Sequence, residues 1–224
     1  MEFIARYYPF YISGTVATLC IAVITVFFGT IIGVFVSLFR LSRNPLLSAP
    51  ANLYVQVLRG TPALLQVMIF YFGISRLVHI PSVYIGTVNL ARFIPGCAAL
   101  AINSSAYTAE IVRAGINAVP IGQTEAGYSL GLTKAMTMRE IVLPQAVRNI
   151  LPALGNEFIS VIKETSLLSV IAIQDLLFVA SNIQASSYLI MEPLYVAAAI
   201  YFTLTCCVSA ALAYLEKRLA RGWR

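Results

Sequence analysis

The sequence predicts an all-α, polytopic membrane protein with about five transmembrane helices and a cytoplasmic helical loop, the whole chain (1–224) forming a single transmembrane domain. Three observations predict it. Of 224 residues, 59% are hydrophobic and 11% charged, whereas a soluble domain carries about 25% charged residues. Charge is missing altogether from 10–39, 93–109 and 193–215, and a helix needs roughly 20 apolar residues to cross about 30 Å of hydrocarbon. Between these oily runs lies a long polar stretch, 125–144, "EAGYSLGLTKAMTMREIVLP".

Taken in order, the spans are predicted over 10–39, 53–75, 93–113, 149–173 and 193–215. The first is too long for the apolar core of a secretory signal, about 7–15 residues, and no small-residue cleavage pattern follows it, so it reads as a retained span. The second is interrupted by Gly60-Thr61-Pro62, directly after Arg59. Breaks of this kind free backbone groups and point to transport sites. The third carries Asn103, Ser104 and Ser105. The fourth is the least regular, because Glu157, Lys163, Glu164 and Asp175 interrupt it. Gly14, Gly29 and Gly33 in the first span read as close-packing positions between helices.

With these spans, Arg40, Arg43, Arg59, Arg113, Lys134, Arg139, Arg148, Lys217, Arg218, Arg221 and Arg224 fall on one side, and Arg6, Arg76 and Arg92 on the other. Basic residues concentrate on the cytoplasmic side. The N-terminus is therefore expected outside and the C-terminus inside, which requires an odd number of crossings. The basic residues flank spans instead of lining a face with aromatics, so no nucleic-acid partner is implied.

The polar loop, about 114–148, then faces the cytoplasm. Gly131 suits a left-handed helix end. Thr133 can cap a second helix running through Lys134, Met136 and Ile141, with Pro144 as its stop. Leu130, Leu132, Met136, Met138 and Ile141 need cover, which could come from the protein itself, from lipid headgroups or from a docked partner. The small residues Ala126 and Gly127 would let another backbone approach.

Catalytic and metal chemistry find little footing. The four cysteines (Cys20, Cys97, Cys206, Cys207) sit in apolar runs without ligand spacing, and His79 is the lone histidine. No G-x-x-x-x-G-K-[ST] phosphate loop is present. No catalytic or metal site is expected, and no cofactor bound by this chain.

Ionisable groups inside the hydrocarbon are candidates for function. Glu157 and Glu164, seven residues apart, align on one helix face, and adjacent Lys163 points about 100° away. Glu157 is the stronger candidate for an amino or guanidinium group. Lys163 or Glu164 could equally pair with Arg59, Arg113 or a neighbouring subunit to fix helix packing. Thr61, Gln66, Asn103 and Ser105 add polar groups that suit either a ligand or an interhelical hydrogen bond.

The stretch Glu125-Ala126-Gly127, Gly131, Ile141, Leu143-Pro144 resembles the coupling motif of ABC importer permeases, E-A-A, three residues, G, nine residues, I, one residue, L-P, with Gly127 in place of the second alanine. "RGTPALLQVMIFYFGIS", "NSSAYTAEIVRAGINAVPIGQTEA" and "LPQAVRNILPALGNEFISVIKETSLLSVI" are similar to the branch for polar amino acids of the histidine, glutamine and arginine type. The likeness covers essentially the whole chain, with Glu164 where that branch more often has aspartate. It implies a permease subunit in the bacterial cytoplasmic membrane that carries no enzyme activity of its own. ATP and Mg would sit on two ATP-binding cassette ATPase subunits docked on the coupling residues. A second permease, identical or homologous, and an extracytoplasmic amino-acid-binding protein would complete the assembly in membrane lipid. A gated channel, an ion-coupled transporter or a scaffold are the rival classes. No repeat between the two halves favours the ion-coupled class, and polar groups within the spans disfavour a mere scaffold.

Overall fold

A computed structural model describes residues 2–78, 80–85 and 88–221; His79 and Arg224 lie outside the described residues. The first helix, α1 (Glu2–Arg40), is a single rod of 39 residues. At about 1.5 Å per residue it exceeds the hydrocarbon thickness and must tilt or protrude.

The second predicted span is not one helix. It comprises α2 (Pro45–Gly60) and α3 (Ala63–Leu77), whose axes meet at 116°. The cause is local. Pro62 cannot donate a helical hydrogen bond and pushes Thr61 into an extended conformation, φ −123° and ψ 154°. The carbonyls released at the end of α2 find a donor in the buried Gln66, whose Nε2 lies 2.6 Å from the Leu58 oxygen and 2.9 Å from the Thr61 oxygen. Without such a donor those groups would be stranded in hydrocarbon.

A short antiparallel pair, β1 (Tyr84–Ile85) and β2 (Val88–Asn89), leads into α4 (Leu90–Asn117). Helix α4 is the centre of the molecule. Its charge-free stretch reads as a lipid-facing span, yet Asn103, Ser104, Ser105 and Thr108 are all buried. Protein encloses them in place of lipid, although Thr108 Oγ1 and Asn103 Oδ1 find no hydrogen-bond partner among the described residues. Residues Gly29 and Gly33 of α1 bring the two backbones together, as expected: a methyl at Gly33 would sit 2.7 Å from Cβ of Thr108 and 2.8 Å from the Ser105 carbonyl.

The coupling region forms α5 (Ile121–Ser129) and α6 (Lys134–Thr137), then a π-helical turn, Met138–Val142, that runs into α7 (Leu143–Glu164). Gly131 holds φ +79°, and the Thr133 hydroxyl accepts a bond from the Met136 amide at 3.3 Å, so the local turn chemistry is as predicted. Pro144 does not stop the second helix. It sits at the start of α7, directly after the π turn with which that helix is continuous, and the widened turn accommodates the ring.

The fourth span continues from α7 through a 3₁₀ stretch, Thr165–Ile171, and bends by 46° into α8 (Leu176–Ser187). The break occurs at Ala172, which adopts φ 55°. Buried Asp175 caps α8, accepting from Leu177 N at 3.2 Å and Phe178 N at 2.9 Å. The last helix, α9 (Glu192–Arg221), is almost wholly uncovered by the rest of the chain.

Contacts give the directions. Ile21 clusters with Cys97 and Leu100, and Arg40 meets Glu110, so α1 and α4 run the same way. Gln66 of α3 meets Asn103 of α4, and Val67 joins the cluster that holds Leu100. Asn149 meets Gly115 and Glu157 meets Ser104, so α7 opposes α4. Gly155 abuts Leu212 and Ile162 clusters with Tyr201, which turns α9 back again. By length and apolarity α1 and α9 qualify as spans alone and the two bent pairs qualify together. That gives two to four candidate spans, with α4 enclosed among them.

Candidate functional site

Two regions collect the residues singled out from the sequence. The first is a cavity of about 380 Å³ between α2, α4 and α7, whose lining includes Arg59, Tyr107, Glu110, Asn149 and Glu157. It exists because small residues on α4 (Ala114, Gly115) face Ala153 of α7. Ser104 Oγ donates to Glu157 Oε1 at 2.7 Å. No cation pairs with Glu157 among the described residues. On the facing wall the Arg59 guanidinium lies 5.7 Å from the Tyr107 ring centre, a cation–π distance.

Arg59 and Arg113 pair with neither Lys163's neighbour Glu164 nor any group on α7. Both go to Glu110, a residue the sequence reading missed. Glu110 receives Arg40 at 2.6 Å and Arg59 at 3.6 Å and is bonded by Arg113 one turn along its own helix. Arg40 also donates to Asn52 Oδ1 at 2.8 Å. One carboxylate therefore ties the ends of α1, α2 and α4. Of the three arginines Arg59 is held most loosely, with its side chain 44% exposed.

The uncharged candidates are drawn together, but into the frame around the cavity and not its lining. Thr61 Oγ1 donates to the Val57 carbonyl at 2.8 Å, and Asn103 Nδ2 donates to Gln66 Oε1 at 2.7 Å. Ser105 Oγ donates to the Ile102 carbonyl and shares a 2.6 Å bond with the Tyr54 hydroxyl. Glu164 is half-buried two turns beyond Glu157, and Lys163 is exposed. Among the described residues no group of three metal-ligating side chains occurs, and the four cysteines are unbridged.

The second region is the coupling loop. Gly127 is buried against its own chain, not open to another. A methyl there would lie 2.8 Å from Thr137 Cγ2 and 2.9 Å from Ile141 Cδ1, so two motif positions pack on each other and hold α5 against the π turn. Glu125 and Ala126 are exposed, Ile141 and Pro144 half-buried, and Leu143 exposed. Leu130 and Met136 are 79% and 48% exposed. The apolar residues of this loop are only partly covered by their own chain. They form an outward apolar face around a turn that only a left-handed residue can make.

Comparison with known proteins agrees with this arrangement. Residues 26–221 match the family described as the binding-protein-dependent transport system inner membrane component. The chain is 37% identical over 221 residues to a putative glutamine transport system permease protein, GlnP, of Rickettsia felis, covering 97% of this chain and 98% of the relative. It is 37% identical to the arginine transport system permease protein ArtQ of Bacillus subtilis, covering 94% and 93%. A solved amino acid ABC transporter crystallised with histidines matches with TM-score 0.87 and 44% identity over 96% of both chains. The inward-facing MetNI methionine ABC transporter shares the fold, TM-score 0.77 at 16% identity over 93% and 95%.

Proposed function

This chain belongs to the family of inner-membrane components of binding-protein-dependent transport systems, and from that premise we propose which part of the fold performs which step in an ATP-driven importer of polar or basic amino acids. The chain is the permease and not an enzyme; ATP is hydrolysed on a separate subunit. It works as one of a pair of permeases. Two ATPase subunits and an extracytoplasmic amino-acid-binding protein complete the assembly, and the coupling-loop end faces the cytoplasm. Arg40, Arg59, Arg113, Lys134, Arg139 and Arg148 all gather at that end, which supports this orientation.

The cavity between α2, α4 and α7 is where the cargo is read. Glu157, a carboxylate without a cation partner, accepts the ammonium or guanidinium group, and Arg59 opposite takes the carboxylate. Glu164, two turns along the same face, continues an acidic track, with Lys163 beside it. Glu157 lining the cavity opposite Arg59 is the observation that carries this reading. Thr61, Gln66, Asn103 and Ser105 hold the walls. A charge-assisted hydrogen bond contributes about 1.5–3 kcal/mol, roughly ten- to a hundredfold. Glu157→Gln, assembled with its ATPase and receptor in vesicles, should therefore lower uptake of arginine and glutamine by at least about tenfold while the complex still purifies intact. Unchanged uptake kinetics would remove Glu157 from the pathway.

The coupling loop transmits force. Glu125, Ala126, Leu130 and Met136 present the surface to the ATPase, and Gly127, Gly131, Ile141, Leu143 and Pro144 keep its shape. Nucleotide-driven closure of the two ATPases would draw the two loops together, and α7, continuous with the π turn, would carry that movement to Glu157. At Gly131 a β-branched residue must hold φ +79° at a cost of about 1–3 kcal/mol. Gly131→Val is expected to lose most ATPase co-purification, and full retention would count against docking here.

A further inference from the structure

We propose that Tyr107 is a positioning residue for the cargo's carboxylate: its ring holds the Arg59 guanidinium at the cavity without cancelling its charge. This role rests on the reading of Arg59 and Glu157 given above and adds the group that makes Arg59 available.

The charges around Glu110 explain why Arg59 needs a holder. Three guanidiniums, from Arg40, Arg59 and Arg113, meet one carboxylate. Arg40 takes Oε2 at 2.6 Å and Arg113 bonds Oε1, so both oxygens are engaged before Arg59 arrives. Arg59 stands 3.6 Å from Oε2, outside the range of about 2.7–3.2 Å for an N–H···O hydrogen bond. Its other neighbour is the Tyr107 ring, whose centre lies 5.7 Å from Cζ. A ring attracts a cation through its quadrupole yet carries no net charge. It therefore orients the guanidinium and leaves the whole positive charge for a third group. A second carboxylate in that place would neutralise Arg59 and close the site to an anion.

The ring and not the hydroxyl does this. Among the described residues the Tyr107 hydroxyl has no hydrogen-bond partner, while the half-buried side chain lines the same cavity as Arg59 and Glu157. Tyr107 follows Ser104 by three residues and so lies on the same face of α4, about 4.5 Å further along the axis. Ser104 holds Glu157. One helix face thus carries both holders, one for the acid that meets the cargo's cation and one for the cation that meets its acid. Every amino acid has that carboxylate, so Tyr107 serves the whole class and disfavours amines that lack it.

The test measures binding to the permease–ATPase complex in nanodiscs, without receptor, by scintillation proximity with tritiated arginine and tritiated glutamine. Unlabelled arginine and glutamine compete against the amines left when each loses its carboxylate (agmatine, in the case of arginine). The ratio of the two inhibition constants is read, and that ratio does not change with the fraction of protein that folds. Position 107 carries tyrosine, phenylalanine, or phenylalanine with one, two or three ring fluorines, which drain the negative face of the ring at nearly constant shape. The unsubstituted complex should prefer the carboxylated form. Tyr107→Phe should keep that preference, and fluorination should lower it stepwise by about three- to tenfold in all, with binding of the amines unmoved. Arg59→Gln should abolish the preference, and fluorination should then add nothing. If Arg59→Gln abolishes it but fluorination leaves it unchanged, or if Tyr107→Phe alone already loses it, the role given to the Tyr107 ring is overturned and that of Arg59 stands. If Arg59→Gln leaves the preference intact, or the unsubstituted complex shows none, the reading of Arg59 falls and that of Tyr107 with it.

Discussion

Replacing Glu110 with alanine is expected to cost about 3 kcal/mol and to prevent recovery of a monodisperse complex. Breaking a buried ion pair by removing one partner costs about 3–5 kcal/mol, because the remaining charge is left without compensation. Here three guanidiniums are left, from α1, α2 and α4. Glu110 is 23% exposed, so water recovers part of the loss and the low end of that range applies. The contrast within the cluster is the sharper check. Arg40 is 11% exposed and bonded to both Glu110 and Asn52, so Arg40→Gln should also destabilise. Arg59, at 3.6 Å and half-exposed, should contribute under about 1 kcal/mol. Melting of the purified complex, followed by size-exclusion chromatography, would rank Glu110→Ala below Arg40→Gln and both well below Arg59→Gln. Equal melting of all three would show that the cluster does not hold the helix ends.

Asp175→Ala should be nearly as severe. Asp175 is fully buried, caps α8 through two amides and accepts from the Tyr201 hydroxyl of α9 at 3.0 Å. Losing an N-cap costs about 0.5–2 kcal/mol, and losing the bond from the half-buried Tyr201 costs about 1 kcal/mol more. Asp175→Asn keeps an oxygen for the α8 amides and should restore most of the stability. Tyr201→Phe leaves the α8 cap intact, removes the hydroxyl that meets Asp175, Thr165 and Thr18, and should cost about 1 kcal/mol. If Asp175→Asn melts as low as Asp175→Ala, the charge and not the cap is what matters there.

Features resting on neighbouring residues were legible in advance. The membrane class follows from the length of the apolar runs, since hydrocarbon thickness sets how many residues a helix needs. The turn at Gly131 and the cap at Thr133 follow from backbone sterics and from a hydroxyl placed beside free amides. The alignment of Glu157 with Glu164 follows from the helical repeat. Pro144 shows where local reading fails: a proline ends one helix or begins the next, and only the π turn before it decides which.

What the sequence determined by itself was therefore the membrane class and the polar loop, because apolar length and turn chemistry act within a few residues. Only the tertiary structure decided which polar groups face the cavity and which are consumed in holding it. Arg40 and Glu110 are 70 positions apart, Gln66 and Asn103 37, and Ser104 and Glu157 53. A buried polar group must find a partner wherever the fold supplies one, and no spacing along the chain announces which partner that will be.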